Sequence, residues 1–317
     1  LAAEHLGDGA ERHVALEKAR IAHPLVVEGP GEVAPRAVGQ EHHDPLRGER
    51  THMSSTIKLS APATHEFWEI PVLFEDAHLL ALDKPAGLLV SPDRLHAERP
   101  SLMQLLHEGI AAGKPWAVQR QLTYLSQAHR LEAECSGVLL LAKSKAVLVA
   151  LADLFGAGKG DQPFLALVHG TPRDDRFEVN AKLAPHPTHP GLLRVDPKAG
   201  KKASTRFEVV ERVGQYSLLR CRPQPARPHQ IRAHLQNSGL RVVGDASYGG
   251  GELLLSKLKP DYRLKPGRVE RPLISSPALH AESLTLPHPI TGEAFSIAAP
   301  WPKNLRVAVK YLKEFAA

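Results

Sequence analysis

Cysteine is almost absent from this chain of 317 residues; Cys135 and Cys221 are the only two. Two cysteines without CxxC spacing build neither a disulfide framework nor a thiol-rich metal site, so a reduced, cytoplasmic setting is expected. Long apolar runs are missing as well. None approaches the roughly 18 residues that suggest a membrane helix, and no signal-peptide pattern is visible, so no membrane partner is expected. Aromatic residues are few, at 5% of the chain, and none of them precedes Met53.

That last absence divides the chain. Residues 1–52 hold 6 Lys/Arg against 9 Asp/Glu, a charge of about −3, together with 6 of the 18 histidines. Such a segment lacks the material for a core. It reads either as a disordered leader or, preferably, as noncoding sequence translated upstream of a start at Met53, and it is set aside from the fold. Residues 53–317 are expected to form one domain, which then carries about +9 against the −3 of the first 52 residues. With 43% hydrophobic residues overall, a sizeable core is available. A basic domain suits a polyanionic partner, because Lys and Arg contacts to phosphates release counterions. Charge alone raises that reading only modestly.

Several chemical motifs fail on inspection. Gly156-Ala157-Gly158-Lys159-Gly160 lacks the GxxxxGK[ST] spacing and follows a helical pattern, so it reads as a loop and not as a nucleotide cradle. His42-His43-Asp44 lies in the set-aside segment, and His186 and His189 lack partners at metal-ligand spacing. No metal and no cofactor are expected. Glu132 and Glu134 could suggest the paired acids of a glycosidase. Residues two apart face opposite sides of a strand and do not meet on a helix, so joint action is not expected.

The periodicities describe short strands with a few helices. Val72 to Phe74 and Leu79 to Leu82 flank a turn at Glu75 to His78. Ser101 is placed to cap a helix from Leu102 to about Ala112, with Gly113 beyond it. Val138 to Lys143 reads as a strand buried on both faces, followed by helical spacing from Lys145 to Phe155. Phe164 to Val168 is another buried strand. Phe207 to Val213 and Tyr216 to Cys221 flank Gly214-Gln215, a hairpin signal. A helix is predicted over Pro228 to Asn237. This pattern implies an α+β fold on a mixed, largely antiparallel sheet.

The nonapeptide from His129 to Gly137, His-Arg-Leu-Glu-Ala-Glu-Cys-Ser-Gly, resembles the catalytic loop of the RluA family of RNA pseudouridine synthases. That loop reads His-Arg-Leu-Asp-x-x-Thr/Ser-Ser-Gly. Five further blocks resemble the same family in order: Phe74 to Gly87, Phe164 to Gly170, Ala226 to Leu235, Val243 to Gly250, and Leu279 to Pro289. The resemblance implies the pseudouridine synthase fold with a central cleft, a stand-alone catalytic domain without a recognisable S4 module, and no cofactor. It also implies a monomer acting on structured RNA, ribosomal or transfer.

Roles follow the matched positions. Glu132 stands where the family has its catalytic Asp, and Arg232 where a guanidinium pairs with that acid. A bidentate pair between them would keep the acid ionised and oriented. Phe164 occupies the place of a Tyr that stacks on the base and is thought to help move the C5 proton. Arg130 matches a residue that fills the gap left by a flipped base, and His129, Arg227, His229, Gln230 and Leu279 complete the expected substrate-binding set. Glu in place of Asp displaces the carboxylate by roughly 1 Å, a shift that can lower a rate about 100-fold. Phe164 offers a stacking face and no hydroxyl. Ala133, Ala226 and Pro228 replace a usual basic residue, Gly and Thr. Two readings follow: an RNA pseudouridine synthase with a retuned site, or a catalytically silent RNA-binding protein in RNA folding or ribosome assembly. The basic stretch from Lys257 to Arg271 is a candidate for target choice, a solvated loop being the equal alternative.

Overall fold

A computed structural model describes residues 56–93, 98–265 and 267–316; the expectation for residues 1–52 falls outside them. Ser136–Ala142 is buried at every position. A run of Val and Leu bounded by turns takes this place when both faces of a strand are covered. It is the fourth of nine main strands: β1 (Thr56–Ala61), β2 (Glu66–Glu75), β3 (Leu79–Lys84), β4 (Ser136–Ala142), β5 (Phe164–His169), β6 (Arg176–Asn180), β7 (Ser204–Val213), β8 (Tyr216–Gln224) and β9 (Leu279–Ala281). They form one sheet in the order β1-β2-β3-β4-β9-β5-β8-β7-β6, to which two two-residue strands add at β4 and β5. Every pairing along this path is antiparallel except that of β4 with β9. The mixed, mostly antiparallel α+β architecture is the one the periodicities imply.

Alternation along β3 and β4 feeds two cores. Leu80, Leu82, Leu139 and Leu141 face one layer, with α1 (Leu102–Ala111) against it. Leu79, Ala81, Val138, Leu140 and Ala142 face the other, covered by Val147 and Leu151 of α2 (Lys145–Gly156). Both helices start where a serine can cap them: Ser101 accepts the Gln104 N–H and Ser144 accepts the Val147 N–H. The β7–β8 hairpin turns through Gly214-Gln215, with Val213 paired to Tyr216.

Two departures matter. The helix predicted from Pro228 begins instead at Gln230, giving α3 (Gln230–Asn237), because His229 adopts a left-handed φ of +55°. A C-terminal helix, α4 (Lys303–Phe315), was not anticipated, although Leu305, Ala308, Val309 and Leu312 form its buried stripe.

The parallel junction of β4 and β9 locates the site. Gly137 pairs with Ala281, and Ala281 pairs with Phe164 of β5, so the starts of β4 and β5 lie on either side of the end of β9. Gly137 has φ +109°, and a Cβ built there would stand 2.2 Å from the Ala281 carbonyl oxygen. Only glycine lets the strands approach this closely. Gly137→Ala is expected to destabilise the domain by about 3 kcal/mol or more, from strain plus displacement of β9. A urea-unfolding midpoint equal to wild type would contradict this role.

Candidate active site

Glu132 lies in the turn that enters β4, and a buried lysine holds that turn. Lys84, at the end of β3, donates from Nζ to the carbonyls of Pro85 (2.8 Å), Leu88 (2.7 Å) and Ala133 (3.0 Å). The Gly87 N–H reaches the same Ala133 carbonyl at 2.8 Å. The residue after Glu132 is thus clamped to the Lys-Pro-Ala-Gly turn. Burial lowers the Lys84 amine to about 8, with Cys135, Glu134 and Glu132 pulling the other way.

Arg232 comes from the first turn of α3 and is 3% exposed. Its Nε and Nη2 donate to Asp245 Oδ2 and Oδ1, each at 2.7 Å. Its Nη1 donates to Glu132 Oε2 at 2.8 Å. The fork-to-fork pair is therefore with Asp245, and Glu132 takes the remaining arm. Asp245 is fully buried, which is why it must meet the guanidinium face on. Tyr248 lies under the guanidinium, 4.9 Å from ring centroid to Cζ. Burial opposes the charge on Arg232, but the hydrogen bonds and charge of Asp245 and the charge of Glu132 outweigh it, holding the group above its already high range.

The other oxygen of Glu132 accepts the His229 N–H at 2.7 Å. The left-handed turn at His229 aims that N–H at the loop and starts α3 there. The His229 ring lies 3.1 Å from the Tyr248 hydroxyl, which also accepts the Leu193 N–H. Burial lowers the His229 imidazole while Glu132 opposes the shift, and burial raises the Tyr248 phenol to about 12.

Of these groups Glu132 and His229 border a cleft of about 1730 Å³, whereas Arg232, Asp245, Tyr248 and Lys84 are not part of its lining. Glu132, Phe164, Arg130, Arg227, His229 and Leu279 all line it. Phe164 and Leu279 are 9% and 5% exposed and supply apolar surface. Arg130 is exposed at the mouth. Arg227 leaves its buried Nε without a partner while Nη2 donates to the Lys202 carbonyl. Gln230 is a correction: it does not line the cleft, and its amide instead donates to the Ser204 carbonyl and Thr205 Oγ1, fastening α3 to β7. His129 lines the cleft with its ring, but Nε2 accepts the Leu140 N–H at 2.9 Å, so its polar edge serves the fold.

The separation of Glu132 from Glu134 is a second correction. Glu134 lies 3.7 Å from the same Arg232 Nη1. Both carboxylates converge because residues 133 and 134 form a turn, where neither strand nor helix periodicity applies. Asp245, Tyr248 and Lys84 were absent from the expected site. Each lay in a quoted block, yet the long-range contacts that give it a role are invisible in local sequence. Among the described residues no cluster of three or more His, Cys, Asp and Glu is placed to hold a metal, and no helix is long and apolar enough to cross a membrane.

Residues 78–237 match the family model described as RNA pseudouridylate synthase. That span includes the Glu132 turn, Phe164 and the start of α3. The chain belongs to the RNA pseudouridylate synthase family. It is 31% identical over 276 residues to ribosomal large subunit pseudouridine synthase D of Xanthomonas campestris, covering 86% of this chain and 79% of the relative. It is 33% identical over 244 residues to ribosomal large subunit pseudouridine synthase C of Escherichia coli, covering 76% and 70%. These similarities place the chain in the RluA group. Human RNA pseudouridylate synthase domain containing 4 shares the fold, with TM-score 0.58, 19% identity, and coverage of 76% of this chain and 92% of that one.

The setting of His129 carries a pH signature in this protein. Burial lowers its imidazole from 6.5 to about 4, against a weaker opposing backbone contact with Arg130. The unfolded chain binds this proton below about 6.5 and the folded protein only near 4, so the ring's contribution is full above pH 6.5 and lost as pH falls toward 4. Chemical denaturation across that window is expected to show a shallower decline for His129→Gln than for wild type. Identical slopes would remove His129 from this account.

Proposed function

We propose that this family member isomerises a uridine in structured RNA, with ribosomal RNA the favoured substrate because the relatives above are named ribosomal large subunit synthases. The observation that carries the reading is the Glu132 carboxylate, held in the cleft by Arg232 at 2.8 Å and the His229 N–H at 2.7 Å. A target uridine leaves its stack at a cost of a few kcal/mol, which favours loops and weakly paired sites. Its base enters against Phe164 and Leu279, and Arg130 at the mouth takes the vacated position.

Chemistry then begins at the carboxylate. It attacks the sugar carbon, displacing the base from N1, or it removes a sugar proton and initiates elimination; the base turns and rejoins through C5. The C5 proton must leave and a proton must return to N1, so the sum is an isomerisation without a co-reactant. Each Glu132 oxygen retains a second lone-pair direction after accepting its present hydrogen bond, so contact with Arg232 and reaction with a ribose are compatible. The extra methylene relative to Asp is accommodated in this arrangement, because the carboxylate still reaches both donors.

One observation favours a second reading. Phe164 has no hydroxyl to move a proton, and both Glu132 oxygens are engaged by the protein itself. That combination also suits a catalytically silent protein that binds RNA through an intact cleft. Carbodiimide-blocked primer extension on RNA from cells with and without the gene distinguishes the two, together with assays of purified protein. Active protein is expected to lose on the order of 10³-fold in turnover on Glu132→Gln. Wild-type protein that converts no uridine, while Glu132→Asp gains turnover, would establish the silent reading.

A further inference from the structure

Among the described residues, the cations lining the cleft are all arginines, with no lysine among them. Arginine is the side chain that engages phosphate through a planar fork and stacks on bases. Four of these arginines lie on β6, β7 and β8. The strand register puts Arg176, Glu208 and Arg220 in one cross-strand row and Glu178, Arg206 and Arg222 in the next.

The two rows differ in how charge is neutralised. In the first, Arg176 pairs with Glu208 at 2.9 Å, and Arg220 makes a two-pronged contact with Glu282 at 2.8 and 3.0 Å. In the second, the acid is turned away: Glu178 accepts the Ser204 hydroxyl. Arg206 is exposed, and its side chain makes no ion pair or hydrogen bond among the described residues. Arg222 has one contact of 3.3 Å to Asp161, itself 58% exposed, and a distant 3.9 Å approach to Glu208. Two arginines thus occupy directly opposed positions on paired strands, where like charges repel and an anion between them would be favoured.

The same track continues toward the reacting centre. Arg222 is two positions before Gln224, the last residue of β8, about 7 Å along the strand. Arg227 follows in the next loop, with its buried Nε unpartnered, two residues before the His229 N–H that holds Glu132. An unsatisfied buried donor of this kind invites an acceptor.

We propose that Arg206 and Arg222 form a seat for one backbone phosphate of the RNA strand, the first contact on a track that Arg227 extends toward Glu132. The seat supplies position and electrostatic affinity, and it carries no base readout. It rests on the RNA reading above and specifies where the strand enters the cleft.

The test is the salt dependence of binding for a uridine-bearing RNA hairpin, followed by fluorescence anisotropy. Replacing both residues, Arg206→Gln with Arg222→Gln, is expected to weaken binding roughly tenfold at low salt and to reduce the slope of log affinity against log salt by roughly 1. Lys310→Gln, on α4 and outside the cleft, serves as the charge control and is expected to keep the wild-type slope. An unchanged slope in the double variant, or an equal loss in the Lys310 control, overturns the seat. Inorganic phosphate should compete no better than chloride at equal ionic strength; saturable displacement by phosphate would reassign the site to a free anion and also overturn it. The two proposals fail separately. Protein that shows the slope change but converts no uridine keeps the seat and loses the isomerase, whereas protein that converts uridine with an unchanged slope keeps the isomerase and loses the seat.

Discussion

The buried guanidinium of Arg232 is the constraint on which the centre of this structure depends. A cation this far from water is tolerated only with its donors satisfied and its charge matched. Asp245 satisfies two donors in a fork, Tyr248 lies beneath the plane, and Glu132 takes the third direction. The acid proposed for catalysis therefore also completes a structural ion pair. Because Arg232 sits in the first turn of α3, the same contact fixes that helix against the turn entering β4.

Glu132 is held from two directions that do not share a strand. Behind it, Lys84 and the Gly87 N–H fix the Ala133 carbonyl. In front, the His229 N–H and Arg232 donate to its two oxygens. With the backbone held at one end and the carboxylate at the other, the longer side chain of Glu is accommodated between two fixed points. This is how a residue one methylene longer than the family's Asp keeps the guanidinium contact. The His229 backbone shows the same economy: its left-handed turn both ends the loop and directs a donor at the acid.

Much of the fold was legible locally because burial and periodicity act over a few residues. Val138 to Lys143 read as a strand covered on both sides, Ser101 had the side chain to cap the helix that follows, and Gly214-Gln215 had the turn chemistry of a hairpin. The start of α3 was not legible, since Pro228 is compatible with a first helical turn and the left-handed turn at His229, whose N–H meets Glu132, appears only in the folded chain. Gln230 was misplaced for a related reason. In the sequence it adjoins site residues, and only the packing of α3 on β7 turns its amide toward Ser204 and Thr205.

The sequence by itself determined that this is an α+β synthase-family domain and that Glu132, Arg232 and Phe164 occupy the matched positions. Ordered blocks and short-range hydrogen-bonding preferences suffice for that. Tertiary structure alone decided that Asp245, and not Glu132, receives the guanidinium fork, that Glu134 approaches the same arginine, and that Arg206 faces Arg222. Each of these depends on distance between segments far apart in the chain. In such cases long-range packing and the need to neutralise buried charge select the partner, and local pattern carries no record of the choice.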